Sequence, residues 1–222
     1  MLREFLFPAP CLHCGDLLKN ASTFLCENCA ELLPWIDAEL RCPRCFLHTC
    51  ACENLRLSLY RRLAVFSYGG PAEVLINKFK FQGMQQLADL FASCLLVQIE
   101  KVGLKWPDLI VPIPHSPWHS FLRGYHPSEL VAKSLANKMK IPFAKALKRS
   151  FLSIPQRYKT KEQRKFLSYQ AYRLRKGIDL TDRNILLIDD LSTTGSTLAC
   201  CAEALKEAFP LQISACTLAI VD

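Results

Sequence analysis

No apolar run in this chain is long enough to cross a bilayer. The most apolar stretch, LADLFASCLLVQI at positions 87–99, is broken by Asp89 and Gln98 and falls short of the roughly 20 residues that a spanning helix needs. The opening, MLREFLFPAP, has an acid at its fourth position and no extended apolar core, so no secretion signal is expected there. These absences exclude membrane insertion and point to a cytoplasmic protein. There is no internal repeat beyond paired cysteines and no low-complexity tract, which removes solenoid architectures. Acids are almost missing from one window: between Lys138 and Lys176 thirteen Lys or Arg stand against a single acid, Glu162. The net charge of the whole chain is only +8, so the remainder is acidic and the basic character belongs to one site or loop.

What is present suits a globular chain. The 222 residues, half of them apolar, are enough for one sizeable core and a small extra module. Eight of the twelve cysteines fall within the first 52 residues, mostly as close pairs, which is metal-ligand spacing in a reducing compartment rather than a disulfide framework. Cys94, Cys200, Cys201 and Cys216 lie in apolar helix or strand patterns and are expected to be buried small hydrophobes.

A regular pattern begins near Arg61. RLAVFSY reads as a strand, PAEVLINKFKF as a helix with proline at its start, and MQQLADLFASCLLVQIEKV as a second helix. DLIVPIP reads as a short strand closed by prolines, and HPSELVAKSLANKM as a helix opened by Ser128. Positions 149–173 lack periodicity and read as a long loop with an arm. RNILLIDD (strand), STLACCAEALKEAF (helix) and ISACTLAIV (strand) follow. Alternation of this kind predicts a mainly parallel α/β sheet flanked by helices over 59–222, behind a cysteine-rich module over 1–58.

The chemistry concentrates in LLIDDLSTTGSTL, positions 186–198. Ligands of open α/β sheets bind at the carboxyl edge of the strands, and a helix starting there offers free N–H groups to a phosphate. Thr193, Thr194, Gly195, Ser196 and Thr197 occupy that turn, with Gly195 allowing close backbone approach. Asp189 and Asp190 can accept hydrogen bonds from vicinal hydroxyls. Together they describe a sugar phosphate, with ribose hydroxyls on the aspartates and the 5′-phosphate on the loop. An ordinary capped helix is the plain rival. A nucleotide P-loop is excluded, because no Gly-Lys-Ser/Thr follows, and a phospho-acceptor aspartate has no use for the Thr-Thr-Gly run.

Cys11-x2-Cys14 and Cys26-x2-Cys29 have zinc-ribbon spacing, and four thiolates close a tetrahedral structural site with no open position. Cys42-x2-Cys45 with Cys50 and Cys52 makes a more compressed second set, so one or two structural Zn2+ ions are expected. His13 and His48 are alternative ligands but read as surface histidines. A segment this short with few large apolar groups leaves metal to supply its stability. In the basic window, Arg157, Lys159, Lys161, Arg164 and Lys165 alternate with Tyr158, Phe166, Tyr169 and Tyr172. That is the composition of a single-stranded DNA contact, of a solvated basic loop, or of a flap over a phosphate site.

The Asp-Asp, Thr-Thr-Gly, Thr run resembles the signature of type I phosphoribosyltransferases, which bind phosphoribosyl pyrophosphate (PRPP) with Mg2+. That resemblance implies a pyrophosphate loop at VPIPHS, bringing in Pro114, His115 and Ser116, with Arg123 following. With the paired cysteines, FKFQG, RGYHPSEL and PQRYKTKEQR, the whole chain resembles the ComF family of competence proteins. Where that family has Arg-Gly-Phe/Tyr-Asn-Gln, this chain has Arg123-Gly124-Tyr125-His126-Pro127. The resemblance implies a part in DNA uptake during natural transformation, alongside a DNA translocase or helicase acting on incoming single strands. Two function classes follow: a competence-linked protein binding PRPP and single-stranded DNA, or an active transferase passing a 5-phosphoribosyl group to an acceptor that no residue identifies. No catalytic residue stands out.

Overall fold

The computed structural model describes residues 9–20, 23–50, 52, 59–115, 124–149 and 171–221. Four strands form one sheet in the order β1-β6-β5-β2, where β1 is Arg61–Ser67, β2 Leu109–Pro112, β5 Asn184–Ser192 and β6 Gln212–Ile220. Every pairing in it is parallel. Both faces are covered, so its strands read as near-continuous apolar runs rather than alternating ones. On β5, Leu186 and Ile188 join the core beneath helices α2 (Gly70–Phe81), α3 (Leu87–Lys101) and α4 (Pro127–Met139). Ile185 and Leu187 face the other way, into a core shared with α5 (Ser196–Lys206). Cys94, Cys200, Cys201 and Cys216 are all buried in these two cores.

Strand edges are natural sites of unwanted pairing, and both outer strands here are covered. Along β1, the Ile36 N–H donates to the Val65 carbonyl at 2.9 Å and the Ser67 N–H to the Pro34 carbonyl at 2.9 Å, while Trp35 sits against Phe66 with ring centroids 4.8 Å apart. The segment that provides this cover also holds the cysteines and a one-turn helix, α1 (Glu27–Glu31). Its Cys11, Leu18, Leu25, Ile36 and Phe46 belong to the same core as β1 and α3. Along β2, Ile110 exchanges bonds with Pro142 and Ala144.

Three expectations change. The helix read as opening at Ser128 begins at Pro127, with His126 at the cap position and no capping side chain. Ser128 is buried instead, its hydroxyl donating to the Ile113 carbonyl at 2.8 Å, which ties the helix start to the end of β2. The stretch 149–173 is not loop throughout: β3 (Leu147–Arg149) pairs antiparallel with β4 (Tyr172–Leu174), so residues 150–170, which lie outside the described set, connect the two arms of a ribbon. Three-residue strands carry too little periodicity to be read. Tyr172, grouped above with rings available for stacking, is buried, and burial pushes its hydroxyl up to about 12. Among the described residues no helix is long and apolar enough to span a membrane.

Gln98, which interrupts the apolar run of α3, is buried and donates to two carbonyls, Ile36 and Ala64, both at 3.2 Å. It joins α3, β1 and the cysteine segment at one point. Gln98→Leu should therefore lower stability by about 1–3 kcal/mol, the penalty of removing the partner from buried polar groups, read as a shifted urea midpoint at unchanged slope. A midpoint equal to wild type would remove this tie from the account.

Candidate anion and metal sites

β5 delivers Asp189 and Asp190 to the carboxyl edge of the sheet. The strand continues through both, pairing as far as Ser192 with Ile220, rather than ending at the aspartates. Because strand side chains alternate, the two acids leave on opposite faces. Asp190 meets α2, where Lys80 Nζ lies 2.9 Å from its Oδ1; the two side chains are only 15% and 4% exposed. Asp189 accepts the Asp190 N–H at 2.9 Å. At the end of β2, His115 stands astride the pair, its Nε2 lying 3.8 Å from Asp189 Oδ1 and 3.7 Å from Asp190 Oδ2. The Asp190 Oδ2 atom is buried and has no hydrogen-bond partner among the described residues. Burial, and next the charge of Asp190, hold the Asp189 carboxyl well above the ordinary carboxylate range.

These groups line a cavity of about 280 Å³ together with Ile113, Arg149, Tyr172, Leu191, Thr193 and Thr197. Arg149 lies over the Tyr172 ring at 5.8 Å. One wall is therefore the root of the β3–β4 ribbon, and Lys80 and Arg149 set cations on either side of the acids. Of the residues anticipated from the sequence, Asp189, Asp190, Thr193, Thr197 and His115 meet in this cavity. Thr194 and Ser196 do not line it; their hydroxyls bond each other at 2.7 Å. Pro114 is half-buried just before His115. Ser116, Arg123, Arg157, Tyr158, Lys159, Lys161 and Arg164 lie outside the described residues.

Gly195 adopts φ +77° at the start of α5, and the atom it makes room for is a protein cation. A Cβ there would lie 2.6 Å from Arg62 Nη1. Arg62 is fully buried on β1, and its Nη2 donates to Ser192 Oγ at 2.7 Å and to the Thr193 carbonyl at 3.1 Å. The first turn of α5 thus presents its N–H groups above a buried guanidinium, a setting that favours an anion.

Four residues of this arrangement were not singled out from sequence. Lys80 sits inside the quoted FKFQG, and Tyr125 of the RGY step holds that helix end by donating its hydroxyl to the Phe79 carbonyl. Arg149 bounded a segment read as loop. Arg62 left one usable signal, a charge inside a buried strand.

The eight early cysteines form two groups of four, the ligand atoms within 4.8 Å of one another in each. Cys14 and Cys26 Sγ are 3.7 Å apart, and Cys42 Sγ lies 3.5 Å from Cys50 and 3.6 Å from Cys52. Bonds of about 2.3 Å around tetrahedral zinc put thiolates about 3.8 Å apart, so the spacing fits a metal and is far too long for a disulfide. The two knuckles share one turn. Cys11 N–H bonds Asp16 O and Gly15 N–H bonds Cys11 O; Cys42 N–H bonds Leu47 O and Phe46 N–H bonds Cys42 O. The fifth residue is left-handed in both, Gly15 at φ +85° and Phe46 at φ +59°. The second cluster is thus built like the first despite its compressed spacing. Against the upward push of burial, N–H groups including those of Cys14 and Cys26 bring Cys11 down to about 6. The Cys45 N–H chiefly does the same for Cys42, to about 6. His13 bonds Cys29 Sγ at 3.2 Å through Nδ1, a supporting contact to a ligand sulfur, and His48 is exposed.

Asp189 gives a signed pH dependence. A carboxyl raised in the folded state holds its proton more tightly folded than unfolded, so stability falls as pH climbs from the unfolded value of about 3.9 toward the folded one. Asp189→Asn should raise the melting temperature at pH 8, by about 0.5–2 kcal/mol equivalent, and change it little at pH 4. Equal shifts at both pH values would contradict a proton held on Asp189.

Residues 127–221 match the phosphoribosyl transferase domain family. The chain is similar to DNA utilization protein YhgH of Escherichia coli K12, 27% identical over 200 residues covering 88% of this chain and 83% of that protein. It is similar to Competence protein F of Haemophilus influenzae, 27% identical over 201 residues covering 85% and 86%. With Competence protein ComFC of Bacillus subtilis it shares 28% over 207 residues, covering 89% and 78%. The likeness extends well beyond the matched domain. Over most of its length the chain is thus similar to DNA utilization and competence proteins, and within it residues 127–221 carry a phosphoribosyl transferase domain on a parallel sheet flanked by helices.

Proposed function

We propose that this is a competence-linked protein of DNA uptake that binds PRPP with Mg2+ and single-stranded DNA. One observation carries the reading: a single cavity combines paired acids, flanking cations and the start of a helix. Asp189 and Asp190 accept the ribose hydroxyls, Thr193, Thr197 and the first N–H groups of α5 take the 5′-phosphate, and His115, Lys80 and Arg149 face the pyrophosphate. A divalent cation supplies charge neutralisation between pyrophosphate and the acids, and the buried Asp190 Oδ2 suits it. In sequence the basic segment 150–170 lies between β3 and β4, whose Arg149 and Tyr172 line this cavity. That placement suits a segment serving both the phosphates of PRPP and those of DNA.

Isothermal titration with PRPP and Mg2+ tests the cavity. Asp190→Asn and Thr197→Val should each weaken binding about 10–100-fold, the range for a lost charged hydrogen bond, with the fold retained by circular dichroism. Wild-type affinity in both variants would retire the assignment. For DNA, replacing Arg157, Lys159, Lys161 and Arg164 with Ala should weaken single-strand binding and flatten its salt dependence. A mutant that keeps its DNA affinity and loses PRPP affinity would make the segment a flap alone.

The two cysteine clusters are proposed as structural zinc sites. Metal analysis should return two zinc per chain, falling to one in Cys11→Ser, with a lower melting temperature. A zinc-free, fully folded wild type would contradict this.

A further inference from the structure

We propose that Arg62 couples the second cysteine cluster to the anion-binding loop, so that metal in the cluster raises the affinity of the cavity for its phosphate ligand. The inference rests on the PRPP reading above and adds a regulation to it.

The backbone and the side chain of Arg62 belong to different sites. Its N–H points away from the sheet and donates to the Arg44 carbonyl at 2.9 Å. Arg44 lies between Cys42 and Cys45, inside the knuckle. The side chain runs the other way, past β6, to Ser192 Oγ at 2.7 Å and the Thr193 carbonyl at 3.1 Å on β5. Thr193 lines the cavity, and Gly195 is shaped around the guanidinium. Arg62 never reaches the cavity itself, so it acts as a positioning residue. Its contacts set the loop carbonyl, and its charge lies beneath the first turn of α5, where it adds to the helix dipole.

The knuckle supplies the switch. Cys45 is fully buried, and Phe46, beside it, is a bulky residue at φ +59° with its ring in the main core. A left-handed conformation in such a residue persists only where surroundings impose it. Thiolates drawn onto one metal impose it; without metal the turn is free to relax, and the Arg44 carbonyl moves with it. The N–H of Arg62 then loses its fixed acceptor, and the guanidinium its fixed reach. Of the exposed loop residues Thr193, Thr194, Ser196 and Thr197, the first is held by Arg62 through its carbonyl.

The test uses the full-length, zinc-loaded chain with PRPP and Mg2+ as the probe. Arg62→Met, which conserves bulk, should retain both zinc ions and a cooperative melt while weakening PRPP binding at least tenfold. Arg62→Lys should recover part of that loss. Cys50→Ser should lose one zinc and weaken binding by a similar factor. The double variant Arg62→Met/Cys50→Ser should be no weaker than the worse single one, because both changes interrupt one path. Linkage demands the converse: saturating PRPP should raise the equilibrium affinity for one zinc, read by competition with a chromogenic chelator, in wild type and not in Arg62→Met. Wild-type affinity in Arg62→Met, or additive losses in the double variant, overturns the coupling and leaves the cavity assignment standing. A wild type that fails to bind PRPP overturns both. If Cys50→Ser does not fold, the chelator competition decides, and equal zinc affinities with and without PRPP in wild type count against the coupling.

Discussion

A parallel strand covered on both faces can carry acids only where they find partners, and β5 meets that constraint at its carboxyl edge. Five apolar or neutral positions from Asn184 to Ile188 run through the two cores before Asp189 and Asp190 emerge on opposite faces at the carboxyl edge. Two carboxylates so close and so buried cannot both be charged without help. Lys80 compensates Asp190, and Asp189 keeps its proton into a higher pH range. The asymmetry follows from alternation along the strand: one acid reaches helix α2 and its lysine, the other faces the ribbon, where Arg149 is held against Tyr172.

The rest of the molecule holds this edge still. Tyr125 fixes the end of α2 that carries Lys80, Ser128 fixes the end of β2 that carries His115, and Arg62 fixes the loop that follows β5. Tyr125 and Ser128 each reach their partner through one hydrogen bond and Arg62 reaches the loop through two, all from buried or nearly buried side chains. In the interior such bonds are costly to leave unmade, so the helix end, the strand end and the loop are each held by a buried contact. The cysteine segment acts in the same way on a larger scale, closing the open side of β1 while contributing to the main core.

Much of this was legible in the sequence, because it depends on local pattern. LLIDDLSTTGSTL announces strand, acids, hydroxyls and helix in thirteen consecutive positions, and the paired cysteines announce knuckles. What escaped is non-local or too short to have a period. Lys80 and Asp190 are 110 residues apart, and Arg62 and Ser192 130 apart, so nothing nearby in the chain marks their meeting. The β3–β4 ribbon has three residues per strand. Ser128 followed a sound rule to the wrong conclusion: a hydroxyl near a helix start usually caps it by accepting a backbone N–H, but here it lies past the cap position and donates to the Ile113 carbonyl. Gly195 was read as space for a ligand, and the space is filled by Arg62 from below.

That last difference bears on how the proposed anion site would work. Here the turn is already ordered around a buried cation, so the N–H groups of α5 and the hydroxyls of Thr193 and Thr197 are in place beforehand, and less ordering remains to oppose binding. Burying a guanidinium so completely is unfavourable unless its hydrogen bonds are met, which makes the loop conformation and the position of Arg62 mutually dependent. β1 holds the backbone of Arg62, the second cysteine knuckle accepts its N–H, and the loop accepts its side chain. The structure of the anion site therefore extends past the cavity wall to the far edge of the sheet.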